Sequence, residues 1–372
     1  ATGTSLSLAN GLEIQSGATV RLGEQGGVVY RSGNYNLSAG SLSTGNMTIG
    51  AAGGVVKFFQ TGGEVTVNSS FMGGMFIGSS DNSTGAYEQS GGTLQVGELN
   101  VGSNFYYNSY GLSGVSADGN YTLSGDATLY AGRVNIGGTD AWNGSGTMNI
   151  DGGTAWVSRV TAGKNGLLHM SNGTVYYDTW VTPQQGGKIL LSGGSLISPN
   201  GYGWNEIYGE FKQTGGEHRS GQMNIFGSYI LDGGTLVVDD WHKQGMVLNG
   251  LMTIGTNASF SAIKFTQNGG TMHQQGSTAG IGALAINSGT YQMSGGSLSI
   301  NSSWTMGEGG VFDFDNGNAS VTVAAGASVL LSLEPINKFT PLQPPFAARI
   351  SPPVWTIVPV EPSPPAMKMP LP

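Results

Sequence analysis

The chain has 372 residues, no cysteine, 65 glycines and only 10% charged residues, with 22 acidic against 14 basic side chains and a formal net charge of −8. The missing thiols exclude a disulfide framework and thiolate metal sites, and scattered cations on an acidic chain exclude a phosphate-binding stripe, so no nucleic-acid partner is expected. The glycines follow no three-residue period and are interleaved with Val, Ile, Leu and aromatics, which excludes collagen and predicts a folded chain.

The chain opens on Ala1-Thr2-Gly3-Thr4, a small polar start of the kind left by removal of a signal peptide, and secretion to the extracellular space or cell surface is expected. From there a cadence recurs: a polar or apolar residue, a spacer, two glycines, Thr, Ser or Glu, then an aliphatic residue. It reads Gln60-Thr61-Gly62-Gly63-Glu64-Val65, Gln89-Ser90-Gly91-Gly92-Thr93-Leu94, Leu191-Ser192-Gly193-Gly194-Ser195-Leu196, Leu231-Asp232-Gly233-Gly234-Thr235-Leu236 and Met293-Ser294-Gly295-Gly296-Ser297-Leu298. Looser copies lie at 151–154, 171–175, 213–217 and 268–272. A spacing of mostly about 18 to 36 residues belongs to solenoids.

Residues 85–102 serve as a specimen. Tyr87 and Gln89, Leu94 and Val96, and Leu99 and Val101 each alternate with their neighbours, the two-residue period of a strand. Gly91-Gly92 supplies a corner between the first two strands, and a terminal glycine closes the third in Thr48-Ile49-Gly50, Phe76-Ile77-Gly78, Asn135-Ile136-Gly137 and Thr253-Ile254-Gly255. No helical periodicity competes. The predicted fold is all-β: a right-handed parallel β-helix, or β-solenoid, of about a dozen coils over 1–333, with three short strands per coil. Aliphatic side chains stack inside it and Ser, Thr and Asn ladders run outside.

Two segments interrupt the cadence. Residues 103–120, with Tyr106 and Tyr110, and 199–210, with Tyr202, Trp204 and Tyr208, read as extended corner loops whose aromatic rings suit stacking on sugars. Tyr106, Tyr110, Tyr202 and Trp204 are the expected glycan contacts.

At Glu334-Pro335 the composition changes: twelve of the fourteen prolines fall between Pro335 and Pro372, and glycine disappears. Proline lacks a ladder donor, so the solenoid is expected to stop near Leu333 and a Pro-rich extended arm to occupy 334–372. Phe346, Ile350, Val354, Trp355, Ile357 and Val358 are costly to leave in water, and 354–358 between two prolines reads as a donor strand for a neighbouring copy. These six are the expected inter-subunit contacts.

Chemistry-bearing clusters are sparse. Asp239-Asp240 beside His242 and Lys243 is the best acid–base set, but adjacent strand residues point to opposite faces. Asp313 and Asp315 form a possible calcium pair, and His169, His218, His242 and His273 read as isolated surface or corner residues. No catalytic residue, metal site or cofactor is assigned, and no enzyme is expected. About ten Asn-x-Ser/Thr sequons, among them Asn68, Asn172 and Asn257, suit glycan decoration. No apolar run reaches the roughly 18–20 residues of a membrane helix, so no membrane insertion is expected.

Units such as 85–94 and 290–298 resemble the autotransporter-associated β-strand repeats of large secreted bacterial surface proteins, over roughly residues 30–330. The resemblance implies a β-helix of the pectin-lyase-like kind; that family spans adhesins, matrix components and enzymes. The proline arm expected here departs from the membrane barrel of an autotransporter, so a freestanding secreted subunit is expected. The expected function is a structural subunit of a self-assembling extracellular filament or surface matrix fibre, joined head to tail through solenoid ends and the arm, with copies of itself as partner. The alternatives are a glycan-binding surface adhesin and a polysaccharide-degrading enzyme.

Overall fold

The computed structural model describes residues 27–51, 53–68, 74–78, 82–102, 117–138, 144–239, 245–314 and 319–331, together with the backbone of strands Ser5–Leu8, Glu13–Ile14 and Thr19–Arg21. Every described element is a strand, and the strands form one parallel ladder of 28 members. The chain winds through three columns of strands. Column A begins at Ser5–Leu8 and continues through Gly27–Tyr30, Asn46–Ile49 and Met75–Ile77. Column B begins at Glu13–Ile14 and continues through Gly33–Leu37, Val55–Gln60 and Ser83–Gln89. Column C begins at Thr19–Arg21 and continues through Ser41–Thr44, Glu64–Val67 and 93–96. Strands pair in parallel with their equivalents one coil later at all but one of the steps described below, which is a parallel β-helix of about 12 turns. Among the described residues the one antiparallel contact is an isolated bridge between Gly138 and Lys164.

Alternation sets the inside and outside. In 93–96, Leu94 and Val96 are buried while Gln95 is exposed, and the same two-residue pattern recurs in Glu64–Val67 and Lys188–Leu191. One continuous core results, each fully buried large side chain contributing about 1.5–3 kcal/mol. Beyond the expected aliphatic stacks, the core holds an aromatic file in column B. Phe58 and Tyr87 stack at 4.9 Å with planes 5° apart, and Tyr121 follows at 5.7 Å. Outside, amide and hydroxyl ladders form as predicted: Asn149 Nδ2 donates to Asn120 Oδ1 at 3.2 Å and Asn287 Nδ2 to Asn268 Oδ1 at 2.8 Å.

The glycine doublets sit at corners, and the structure resolves them into two kinds. Most, such as Gly62-Gly63, Gly91-Gly92 and Gly233-Gly234, turn the chain from column B to column C, whereas Gly269-Gly270 turns it from A to B. The uneven spacing of the cadence around residue 250 therefore reflects a change of corner, with Gly255-Thr256-Asn257 making the B-to-C turn of that coil. Ile254 consequently belongs to column B, a correction to its reading as the end of a third strand; the other three terminal glycines, Gly50, Gly78 and Gly137, close column A with positive φ. Gly92 shows why the second glycine is required: its φ is +73°, and a Cβ there would stand 2.3 Å from the Gly63 carbonyl oxygen of the coil below.

Candidate functional site

Where a glutamine stands two residues before a glycine doublet, it carries more than polarity. Gln60, Gln89 and Gln213 end column B strands with side chains wholly buried. Gln89 Nε2 donates to the Gly92 carbonyl at 3.2 Å, across its own corner, and to the Thr128 carbonyl of the next coil at 3.0 Å. Its Oε1 accepts from the Tyr121 hydroxyl of that coil at 2.6 Å. Gln60 with Tyr87 and Gln213 with Tyr229 repeat the arrangement, and Gln274 with Tyr291 does so too. The amide thus satisfies corner carbonyls that the sharp turn leaves inside the core. Burial pushes the hydroxyls of Tyr87, Tyr121, Tyr229 and Tyr291 well above the ordinary phenol range, so they act as fixed neutral donors.

Column A is disturbed at one step. No backbone ladder joins 181–183 to Trp204–Ile207; instead the Val181 N–H donates to Asn205 Oδ1 at 2.9 Å. Asn205 Nδ2 faces Tyr177 Oη at 2.9 Å, His218 Nε2 at 3.0 Å and Ser220 Oγ at 3.1 Å. The Tyr229 hydroxyl gives its proton to Gln213, so at 2.9 Å it accepts from His218 Nδ1, which leaves Nε2 as the acceptor for Asn205. His218 is fully buried, stacks on Phe211 at 4.7 Å, and burial lowers its pKa to about 3. Its reading as a surface or corner histidine is corrected: a histidine at an inward strand position goes inside when every ring nitrogen finds a partner.

Outside this polar plug, column A carries a groove of about 790 Å³ lined by Arg159, Lys164, Trp180, Trp204, Glu206 and Tyr208, with Asn135, Thr161, Thr182, Gln184 and Gln185 among its polar groups. The predicted corner loop at 199–210 is a corner over 199–203, but Trp204–Ile207 is a strand in which Asn205 and Ile207 point inward, and Trp204 and Glu206 outward. The widened corner at 198–203 is tied by Gly203 N–H to Ser198 Oγ at 2.8 Å. Trp204 is 46% and Trp180 39% exposed, and Tyr208 stacks on Phe226 at 4.9 Å. Arg159 sits over the Trp180 ring, 5.4 Å from its centroid. Tyr208 donates to Glu206 at 3.2 Å, and its pKa is raised by partial burial and by that carboxylate.

Of the predicted glycan contacts, Trp204 lines the groove, Tyr202 is exposed on the corner before it, and Tyr106 and Tyr110 lie outside the described residues. A second aromatic row on column C, Tyr130, Trp156 and Tyr176 in register, was not anticipated; Trp156 and Tyr176 stack on each other at 4.1 Å, each turning one ring face to the other. Asp239 and Asp313 are exposed, while Asp240, His242, Lys243 and Asp315 lie outside the described residues. Among the described residues no three His, Asp or Glu side chains gather as a metal group, and no helix is long and apolar enough to cross a membrane.

The last described coils differ from the rest. Ile300 is fully buried, but from Asn301 to Leu330 no described residue is, and Trp304, Phe312, Val321 and Val323 are only partly covered. Strands Ala319–Val323 and Ser328–Leu331 pair on one side alone among the described residues, as do the first strands Ser5–Leu8, Glu13–Ile14 and Thr19–Arg21 at the other end. The arm, with Phe346, Ile350, Val354, Trp355, Ile357 and Val358, lies outside the described residues. No family model, curated protein or solved structure matches the chain.

Proposed function

We propose that the chain is a non-catalytic structural subunit of an extracellular filament or surface matrix, assembled head to tail through its two ends. The observation that supports this reading is the half-covered final coil. Among the described residues its outer edge has no paired strand beside the partly covered Val321 and Val323, and the first coil of another copy offers a complementary row at the same spacing. A contact between two different ends is heterologous and propagates into a fibre rather than closing into a dimer. The repeat's likeness to autotransporter-associated units fits a secreted surface protein, and the arm, through 354–358, fits a clasp on the next copy. Deleting 335–372 tests the arm: shortened or absent polymers are expected, and undiminished assembly refutes its part.

A second reading, glycan binding by the flank, is favoured by the groove itself, where exposed indoles stand beside hydroxyl and amide groups. Aromatic faces receive the C–H faces of sugars while polar neighbours take their hydroxyls. Saturable oligosaccharide binding lost in Trp204→Ala, with assembly retained, is its expected signature.

A further inference from the structure

We infer that the column A groove holds a neutral, linear oligosaccharide lying along the axis of the solenoid; this rests on the glycan-binding reading and adds the ligand's charge and direction. Direction comes from the step between coils. Trp180 immediately precedes Val181 and Trp204 immediately precedes Asn205, and the hydrogen bond from Val181 to Asn205 places the two indoles at equivalent positions on successive coils. Arg159 is in register with Trp180 one coil earlier, so the row Arg159, Trp180, Trp204 climbs the rod rather than circling it. Coils rise by about 4.8 Å, close to the advance of one sugar in an extended chain. Each successive sugar therefore meets one coil's outward side chains.

Neutrality comes from the lining. The guanidinium of Arg159 is laid over Trp180, and the carboxylate of Glu206 takes the Tyr208 hydroxyl. Both keep their charge, so with Lys164, exposed beside them, the lining carries two cations against one carboxylate. The rest of the polar lining is uncharged: Asn135, Thr161, Thr182 and the Gln184-Gln185 pair. Amides and hydroxyls of this kind both donate and accept, which suits sugar hydroxyls. A polyanion finds only these two cations, offset by Glu206, and meets a chain with a net charge of −8. Asn205 acts as a positioning residue: held by four contacts in the core, it fixes the strand that presents Trp204.

The test uses the full-length protein and a panel of linear oligosaccharides of increasing length, built on glucose, N-acetylglucosamine, mannose or galactose, beside an oligogalacturonate as the acidic arm. Binding is read by tryptophan fluorescence and calorimetry at low and at physiological salt. At least one neutral series is expected to bind, more tightly as sugars are added until the groove is filled, and with little salt dependence. Trp204→Ala and Trp180→Ala are each expected to weaken it about tenfold or more, and Trp156→Ala on the other flank to leave it unchanged. Circular dichroism keeps folding in view, and Thr182→Val provides a second groove variant should an indole variant not fold. Binding of the acidic arm alone, with a steep loss in salt, overturns neutrality and leaves the glycan reading standing. Length-independent binding overturns the axial placement. No binding by any member overturns both this inference and the glycan reading.

Discussion

The side chain of Asn205 takes the place of a ladder hydrogen bond: its Oδ1 accepts the Val181 backbone N–H at 2.9 Å where column A has no backbone ladder. Its amide nitrogen meanwhile faces Tyr177, His218 and Ser220. One short side chain therefore joins two coils, completes a buried polar network and sets the outward residue before it, Trp204. Removing one member of such a network strands its partners, and each buried polar group left unsatisfied costs about 1–3 kcal/mol.

Asn205→Ala is accordingly expected to destabilise the protein by about 3 kcal/mol or more, measured by urea unfolding. Asn205→Asp keeps the acceptor for Val181 but loses the donors, and at neutral pH it places a carboxylate in the core. It is expected to be at least as damaging. A loss under about 1 kcal/mol in both variants would show that the gap in the ladder is bridged by something else.

The glutamine clamps predict a coupling. Gln89→Ala leaves Tyr121 Oη and the carbonyls of Gly92 and Thr128 without their buried partner and is expected to cost about 2–4 kcal/mol; Tyr121→Phe is expected to cost about 1 kcal/mol. Because both act on one hydrogen bond, the double variant should lose less than the sum of the singles by about 0.5–1.5 kcal/mol in a double-mutant cycle. Strict additivity would mean that the two side chains do not work together.

Stability should fall at both ends of the pH scale for separate reasons. His218 is neutral in the folded state, with a pKa near 3 against an ordinary value of 6.5. Between those values the unfolded chain binds the extra proton, so this contribution is full above about pH 6.5 and is lost as pH falls, by about 1.4 kcal/mol per pH unit at the steepest. His218→Gln should flatten the urea-midpoint profile between about pH 4 and 6. An unchanged slope would place the acid sensitivity elsewhere.

At high pH the buried phenols take over. Tyr177 is raised to about 12, chiefly by burial, and Tyr30, Tyr87, Tyr121, Tyr229 and Tyr291 are raised as well. Raised pKa values give stability that is present below the ordinary phenol value near 10 and is lost as pH climbs past it. Phenolate absorbance should show these tyrosines ionising together with unfolding, in one cooperative step. Independent titration of the folded protein near pH 10 would contradict the burial.

The winding was legible because its causes are local. A doublet such as Gly91-Gly92 and the alternation in Leu94-Gln95-Val96 are set by steric rules that act within a few residues, and they recur. The clamp was visible only in hindsight: Gln60, Gln89 and Gln213 each stand three residues before the second glycine, yet a glutamine reads as polar until the corner carbonyls it serves are located. Asn205 and His218 gave no signal, since their meaning depends on partners 11 to 28 residues away in sequence that only the stacking brings together. The groove was half anticipated. Trp204 was singled out, but as part of a loop, whereas the inward Asn205 and Ile207 make it a strand; Trp180 and Arg159 lie on coils with nothing unusual in their sequence.

The most direct test of head-to-tail assembly is sedimentation velocity of the full-length chain over a wide concentration range, with electron micrographs of the same samples, beside Val321→Asp, which puts a charge on the last described coil. The account predicts unbranched fibres one rod wide whose length grows with concentration and which Val321→Asp abolishes while the monomer stays folded. A single monomeric species at every concentration, or fibres indifferent to Val321→Asp, would contradict it.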